Sequence, residues 1–241
     1  MQVPLLSEQI SRQLLRELRV GAYAHVDRLP PEMEIAAHLS VSRTAVRDSL
    51  AALEREGFIT RKHGVGTIVN HHVLAVRTRM DLEEEFLDMV RSAGYTPGVG
   101  FARWWEAPAP EPVARRLCIA AREPLIQVSR LITADGRPVI YCLDSFPMSC
   151  IRDQSYLPYE LTRPIFYFLN RYCGIEVYLD LTEVNAVAAE GLPARALDVP
   201  PGTPLLHMDE LGYDLRGHPV LHSDEYYADG ILRHTVLRKK I

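Results

Sequence analysis

No run of about 18 consecutive apolar residues occurs in the 241-residue chain, so no membrane-spanning helix is expected. The opening stretch "MQVPLLSEQISRQLLREL" alternates charge with Leu and Ile and lacks the apolar centre of a signal peptide. Cysteine is sparse. Cys118, Cys142, Cys150 and Cys173 form no C-x-x-C pair or other metal spacing, and without a secretion signal they read as reduced cytoplasmic thiols. Also missing are a phosphate loop and any Ser-His-Asp or Cys-His arrangement supported by position, which argues against an enzyme. His71 and His72 stand side by side without a further spaced ligand, so they read as exposed residues rather than a metal site. No cofactor is expected. Charge of one sign is scarce too: 27 Lys and Arg face 31 Asp and Glu, a formal net charge of −4. The placement of the charges is therefore more informative than their sum.

At 27.3 kDa the chain has room for a small domain and a medium one. Residues 1–72 hold nine Lys and Arg against eight Asp and Glu, while the remainder holds 18 against 23. In the first part, Leu6, Ile10, Leu14 and Leu18 predict an amphipathic helix stopped near Gly21. "RLPPEMEIAAHLS" predicts a second, with a proline in its first turn and Ile35, Ala36 and Leu39 inward. A third begins three residues later. Ser42 suits its N-cap, Val41 and Val46 occupy hydrophobic-staple positions, and Val46, Leu50 and Leu53 mark its buried face. "FITRKHGVGTIV" then reads as two short strands around a His-Gly-Val-Gly turn. Two helices, a tight turn, a third helix and a hairpin form the winged helix-turn-helix plan.

That plan puts Arg43, Thr44 and Arg47 on the outer face of the third helix at its start, the end that meets base edges in a major groove. Arginine's planar fork fits guanine O6 and N7 or two phosphate oxygens. Arg61, Lys62 and His63 load the hairpin, whose glycines permit close approach to the sugar-phosphate backbone. "LPPEMEIAAHLSVSRTAVRDSLAALEREGFITRKHGVGTIV" resembles the N-terminal domain of GntR-type bacterial transcription regulators. The resemblance implies double-stranded DNA as a partner, contacted by Ser42, Arg43, Thr44 and Arg47, with Lys62, His63, Gly64 and Gly66 in the wing. Met33 stands where many members carry an arginine that also touches DNA.

We expect residues 1–70 to form this DNA-binding domain, 71–80 a linker and 81–241 a second domain. The last contains an internal repeat. "ARRLCIAAREPLIQVSRL" from Ala114 aligns with "ARALDVPPGTPLLHMDEL" from Ala194, and "GRPVIYCLD" from Gly136 with "GHPVLHSDE" from Gly217. Each copy reads as a short helix, a strand, a Gly-centred turn and a second strand. The short turns predict a mostly antiparallel sheet with a pseudo-twofold, covered by helices such as that in "PIFYFLNRYCG", hence an α+β chain. Alternation places Arg130, Asp144, Glu210, Glu225 and Tyr227 on faces shared with apolar residues. A charge there must be paired or solvated. Either Arg130 pairs with Asp144, Glu210 or Glu225 as a structural network, or the group lines a polar cavity for a small ligand.

"EPLIQVSRLITADGRPV" and "LDVPPGTPLLHMDELGYDLRGHPVLHSDEYY" look like the UTRA effector-binding domain of the HutC branch of GntR regulators. The resemblance implies a chorismate-lyase-like fold that binds a small metabolite between sheet and helices. It also implies effector contacts from Arg130, Glu225 and Tyr227, beside Asp144 and Glu210. Gly98, Val99 and Ile132 replace residues that hold phosphate in members specific for sugar phosphates, so a sugar phosphate is not the expected effector. The expected function is a cytoplasmic, homodimeric repressor that binds a palindromic operator and is released by a metabolite. A lyase-like enzyme tethered to DNA, or a regulator with no effector, would be the alternatives.

Overall fold

A computed structural model describes residues 6–82 and 84–238. They form two compact units: the chain up to Arg79 together with the segment from Thr235 on, and Met80–His234.

The first unit follows from three short apolar stripes. Helix α1 (Leu6–Val20) buries Ile10, Leu14 and Leu18, while the side chain of Leu6 lies outside the described ones. Helix α2 (Glu32–Leu39) buries Ile35, Ala36 and Leu39. It starts one residue later than the sequence suggests, with Pro31 at the N-cap rather than inside the first turn. Helix α3 (Arg43–Arg55) buries Val46, Leu50 and Leu53 and packs on α1. Ser40, at φ 55°, turns the chain between α2 and α3. The Ser42 hydroxyl accepts the Ala45 amide at 3.1 Å, closing the front of α3. Ser42→Ala should therefore cost about 1 kcal/mol of stability, read as a lower urea midpoint.

Strands β1 (Ile59–Lys62) and β2 (Gly66–Val69) pair antiparallel, with Lys62 opposite Gly66. Gly64 and Gly66 have φ of 74° and 105°, so the tip of the turn requires glycine. The segment read as a linker is instead built into this unit. Helix α4 (His71–Leu74) buries Val73, and His71 Nε2 lies 3.1 Å from the Val26 carbonyl oxygen. Arg79 is buried, donates to the Glu56 carbonyl at 2.6 Å and stacks on Phe58. The Thr235 amide donates to the Thr78 carbonyl, so the segment at Thr235 belongs to the first unit rather than to the second.

The second unit is a six-stranded antiparallel sheet between two sets of helices. Its elements are α5 (Phe86–Ser92), β3 (Pro97–Pro108), α6 (Glu111–Arg116), β4 (Pro124–Ala134), β5 (Arg137–Pro147), α7 (Ile165–Phe168), β6 (Leu179–Ala188), α8 (Gly191–Ala196), β7 (Pro204–Tyr213) and β8 (Pro219–Ala228). The strand order β3-β4-β5-β8-β7-β6 is palindromic in the two repeats, so the pseudo-twofold passes between β5 and β8. Backbone detail repeats as well. Cys118 and Asp198 both have φ near 55°, and Arg122 and Gly202 share the left-handed region. Each copy begins one strand earlier than the sequence repeat shows, with β3 and β6 at the two sheet edges.

One face packs under α7 and the π turn that continues it, with Ile126, Val128, Phe146, Phe168 and Leu169 in one cluster. Met89 and Val90 of α5 cover Ile132, Ile140 and Met208. The opposite face carries α8 against Leu131, Tyr141 and Leu205, and Leu117 beyond α6 against Leu125 and Leu211. Among the described residues, no helix is long and apolar enough to cross a membrane.

Candidate functional sites

The first candidate surface is the front of α3 with its hairpin. Ser42, Arg43, Thr44, Arg47, Lys62, His63, Gly64 and Gly66 are all exposed. On α3 the inward stripe of Val46, Ser49, Leu50 and Leu53 leaves Arg43, Thr44 and Arg47 on the outer side. The arginines differ in availability. Arg43 Nε donates to Glu32 of α2 at 2.9 Å, an exposed pair worth under about 1 kcal/mol. Arg61, which the sequence places on the wing, turns back to Glu54, which accepts its Nε and its backbone amide, each at 2.7 Å. Arg47 is exposed and makes no ion pair or side-chain hydrogen bond among the described residues. Met33 is exposed on α2, 70% accessible. The start of α3 and the hairpin thus expose Arg47, Lys62 and His63.

The second candidate lies on the α5 and α7 side of the sheet. Arg130 and Asp144 are both nearly fully buried and form an ion pair through Nη2 and Oδ2. Arg130 Nη1 also donates to the Arg163 carbonyl at 3.1 Å, and Ser223 donates to the other Asp144 oxygen at 2.7 Å. Burial pulls the guanidinium pKa down, but Asp144 outweighs it and the net shift is upward, so Arg130 stays charged. The internal pairing considered for Arg130 is thus present, with Asp144 as the partner.

Beside the pair is a cavity of about 20 Å³ lined by five carboxylates: Glu84, Glu85, Asp144, Glu210 and Glu225. Arg130 is the one basic residue among its described lining. Burial raises Glu85, with Arg130 opposing and Asp144 and Asp88 adding to the rise. Burial likewise pushes Glu210 up to about 7, although the Thr182 hydroxyl, donating at 2.9 Å, opposes the shift. Tyr227 does not line the cavity. Its hydroxyl donates to Glu225, and its ring belongs to the core with Met208 and Ile140. Trp104 packs at the edge of the α7 cluster and Trp105 donates to Gln127 at 2.9 Å, so neither walls the cavity. A larger recess of about 460 Å³ shares Phe166 with the small cavity and is lined by Tyr178, Asp180 and Thr182.

Sequence reasoning missed Glu84 and Glu85, because "DLEEEF" reads as a solvated acidic run; only its position before a short apolar helix distinguishes it. It also missed a polar group on the opposite sheet face. There Asp209 and Asp224 stand directly across from each other. Their repulsion is relieved by His222 on Asp209 at 2.9 Å, His207 on Asp224 at 3.1 Å, and Arg116 on Asp209. One ligand atom each from Asp209, His222 and Asp224 lies within 4.8 Å of the others. The hydrogen bond from His222 to Asp209 and the Asp209–Asp224 cross-strand pairing account for that spacing.

Residues 92–229 match the UTRA domain family, and residues 6–69 match the bacterial regulatory proteins of the gntR family. RB1450 of Rhizobium meliloti strain 1021, an HTH-type transcriptional regulator, is 28% identical over 92% of this chain and 91% of its own length. The HTH-type transcriptional repressor NagR of Bacillus subtilis strain 168 is 24% identical over 91% of this chain and 88% of its own. The crystal structure of the possible transcriptional regulator YydK of Bacillus subtilis shares the fold, with a TM-score of 0.75 at 20% identity over 98% of this chain and all of that one. A winged helix-turn-helix unit joined to a mainly antiparallel effector-domain sheet, matched over both halves, makes this chain a GntR-family transcriptional regulator with a UTRA domain.

Proposed function

We propose that the chain acts as a dimeric repressor, whose two winged units read the halves of a palindromic operator until a small metabolite bound in the sheet unit releases them. The observation that carries this reading is Arg47, exposed and without an ion pair among the described residues, on the outer face of a Ser42-capped helix beside a basic glycine hairpin. In the major groove, Arg47 and Arg43 would meet guanine edges or phosphate oxygens, with Thr44 between them. Arg43 exchanges its weak contact with Glu32 for DNA at little cost. Lys62, His63, Gly64 and Gly66 follow the backbone at the groove's rim, and the missing Cβ at both glycines lets the wing approach closely. The repressor name of NagR, a relative along most of the chain, supports the sign of the regulation.

Release needs only a difference in effector affinity between the DNA-competent arrangement and the other. A tenfold loss of operator binding corresponds to about 1.4 kcal/mol. Arg47→Ala should weaken binding to the chain's own promoter region by about 1–3 kcal/mol and relax sequence preference. Lys62→Ala should weaken all sequences alike and lower the salt slope by about 1. Both are read by fluorescence anisotropy across a salt series. Undiminished operator affinity in the Arg47 variant would remove the basis of the assignment.

A further inference from the structure

Strand β6 ends the sheet, hydrogen-bonded to β7 on one side and to no strand on the other. It is ten residues long, none of them buried, and it holds no Lys, Arg or Pro and no register break. The Ala189 amide donates to the Thr203 carbonyl at 2.7 Å, continuing the β6–β7 register. Alternation along an antiparallel strand then turns the N–H and C=O groups of Asp180, Thr182, Val184, Ala186 and Ala188 away from β7. A long, open edge of this kind is a template for another chain unless it is blunted. The pseudo-twofold supplies a comparison within the same molecule. At the other edge, the ladder of β3 slips between Val99 and Phe101, prolines stand at 97 and 108, and Arg103 is exposed. One edge is blunted and its counterpart is not.

We infer that β6 pairs antiparallel with β6 of a second copy, joining the two sheets across a twofold axis centred on Val184. The inference rests on the dimer proposed above and names the surface that forms it. Self-complementarity selects the register. A twofold perpendicular to the sheet sets residues of one face opposite each other, so it passes through a residue rather than between two. Centred on Glu183, it would oppose two carboxylates; centred on Asn185, it would oppose Asp180 and Glu190. Centred on Val184, it sets Thr182 against Ala186, Leu181 against Val187 and Glu183 against Asn185, and no like charges meet. The outward groups coincide as well: Val184 with Val184, Thr182 with Ala186 and Asp180 with Ala188 can each exchange a pair of hydrogen bonds.

Exposed apolar side chains gather on the same strand and its approach: Tyr178, Leu179, Leu181 and Val184. The pairing is also closed. It uses the same strand of both copies, so the joined sheet ends on two β3 strands, the blunted edges, and does not grow into a fibre. Main-chain hydrogen bonds would supply the affinity and the side-chain register the specificity. Asp180 and Thr182 also line the larger recess, which places the seam beside it.

The test uses the full chain in two variants at the axis, with sedimentation equilibrium as the readout. Val184→Lys sets two ammonium groups against each other across the seam and should raise the dimer Kd at least about tenfold. Val184 is exposed in the single chain, so the variant should keep its melting transition. Val184→Cys tests the register. Opposed Cα atoms in a hydrogen-bonded antiparallel pair lie about 5.5 Å apart, within disulfide reach. Mild oxidation should therefore give a covalent dimer well in excess of the wild type, whose exposed Cys118 sets the background. Val99→Cys, exposed on β3, should not exceed that background. A dimer unchanged by Val184→Lys, or a Val184→Cys protein no more cross-linked than the wild type, overturns the assignment and leaves the dimeric reading standing. A wild type that stays monomeric overturns both. A dimer lost in Val184→Lys but indifferent to the operator supports the seam and removes the repressor reading.

Discussion

Arg130→Ala is expected to cost the sheet unit about 3–5 kcal/mol, a fall in Tm of roughly 10 °C. The size of the effect comes from what the substitution leaves behind. Asp144 is 2% exposed and would retain only the Ser223 hydroxyl, while the Arg163 carbonyl would lose its donor. A buried carboxylate without its counter-ion is far costlier than the pair is stabilising. Replacing both partners by apolar residues, Arg130→Met with Asp144→Leu, should therefore recover most of the loss. Urea titrations of the single and double variants measure both effects. A loss below about 1 kcal/mol in the single variant would show that the pair is not the keystone of this face.

That the sequence alone left Arg130 between a structural and a ligand role has a physical cause. Alternation reports which face a side chain takes, and it placed Arg130, Asp144, Glu210 and Glu225 correctly on one side of the sheet. It says nothing about which neighbours come within bonding distance across strands 14 or 79 residues apart. The same limit appears at the DNA-facing surface. The stripe of Val46, Leu50 and Leu53 and the Ser42 cap were legible, because both are periodic or local. Glu32 as the partner of Arg43, eleven residues earlier on another helix, was not. Nor was the withdrawal of Arg61 to Glu54.

Segment boundaries were hard to read for a related reason. Residues 71–80 lack a period, yet Val73, Thr78 and Arg79 are buried, through contacts that no repeat announces. The edge strand β6 is mostly exposed, so it has no apolar face for alternation to reveal. What could be read was whatever repeats along the chain. The near-identical φ values of Cys118 and Asp198 show that the repeat extends to single backbone positions.

Glu210→Gln should make the protein more stable at pH 8, by an amount on the order of 3 kcal/mol, and flatten its stability against pH. Glu210 in the fold titrates at about 7, against an ordinary value of 4.5, chiefly because it is buried. Between those values the folded chain holds a proton that the unfolded chain has released. Its contribution is therefore complete below pH 4.5 and is lost as the pH rises through 7. Glutamine is neutral throughout and can still accept the Thr182 hydroxyl through Oε1, so the loss disappears while the contact survives. Asp180, raised to about 6, keeps a smaller slope of the same sign. Urea midpoints at pH 5 and pH 8 give the comparison, and a wild-type difference indistinguishable from that of the variant would refute the assignment.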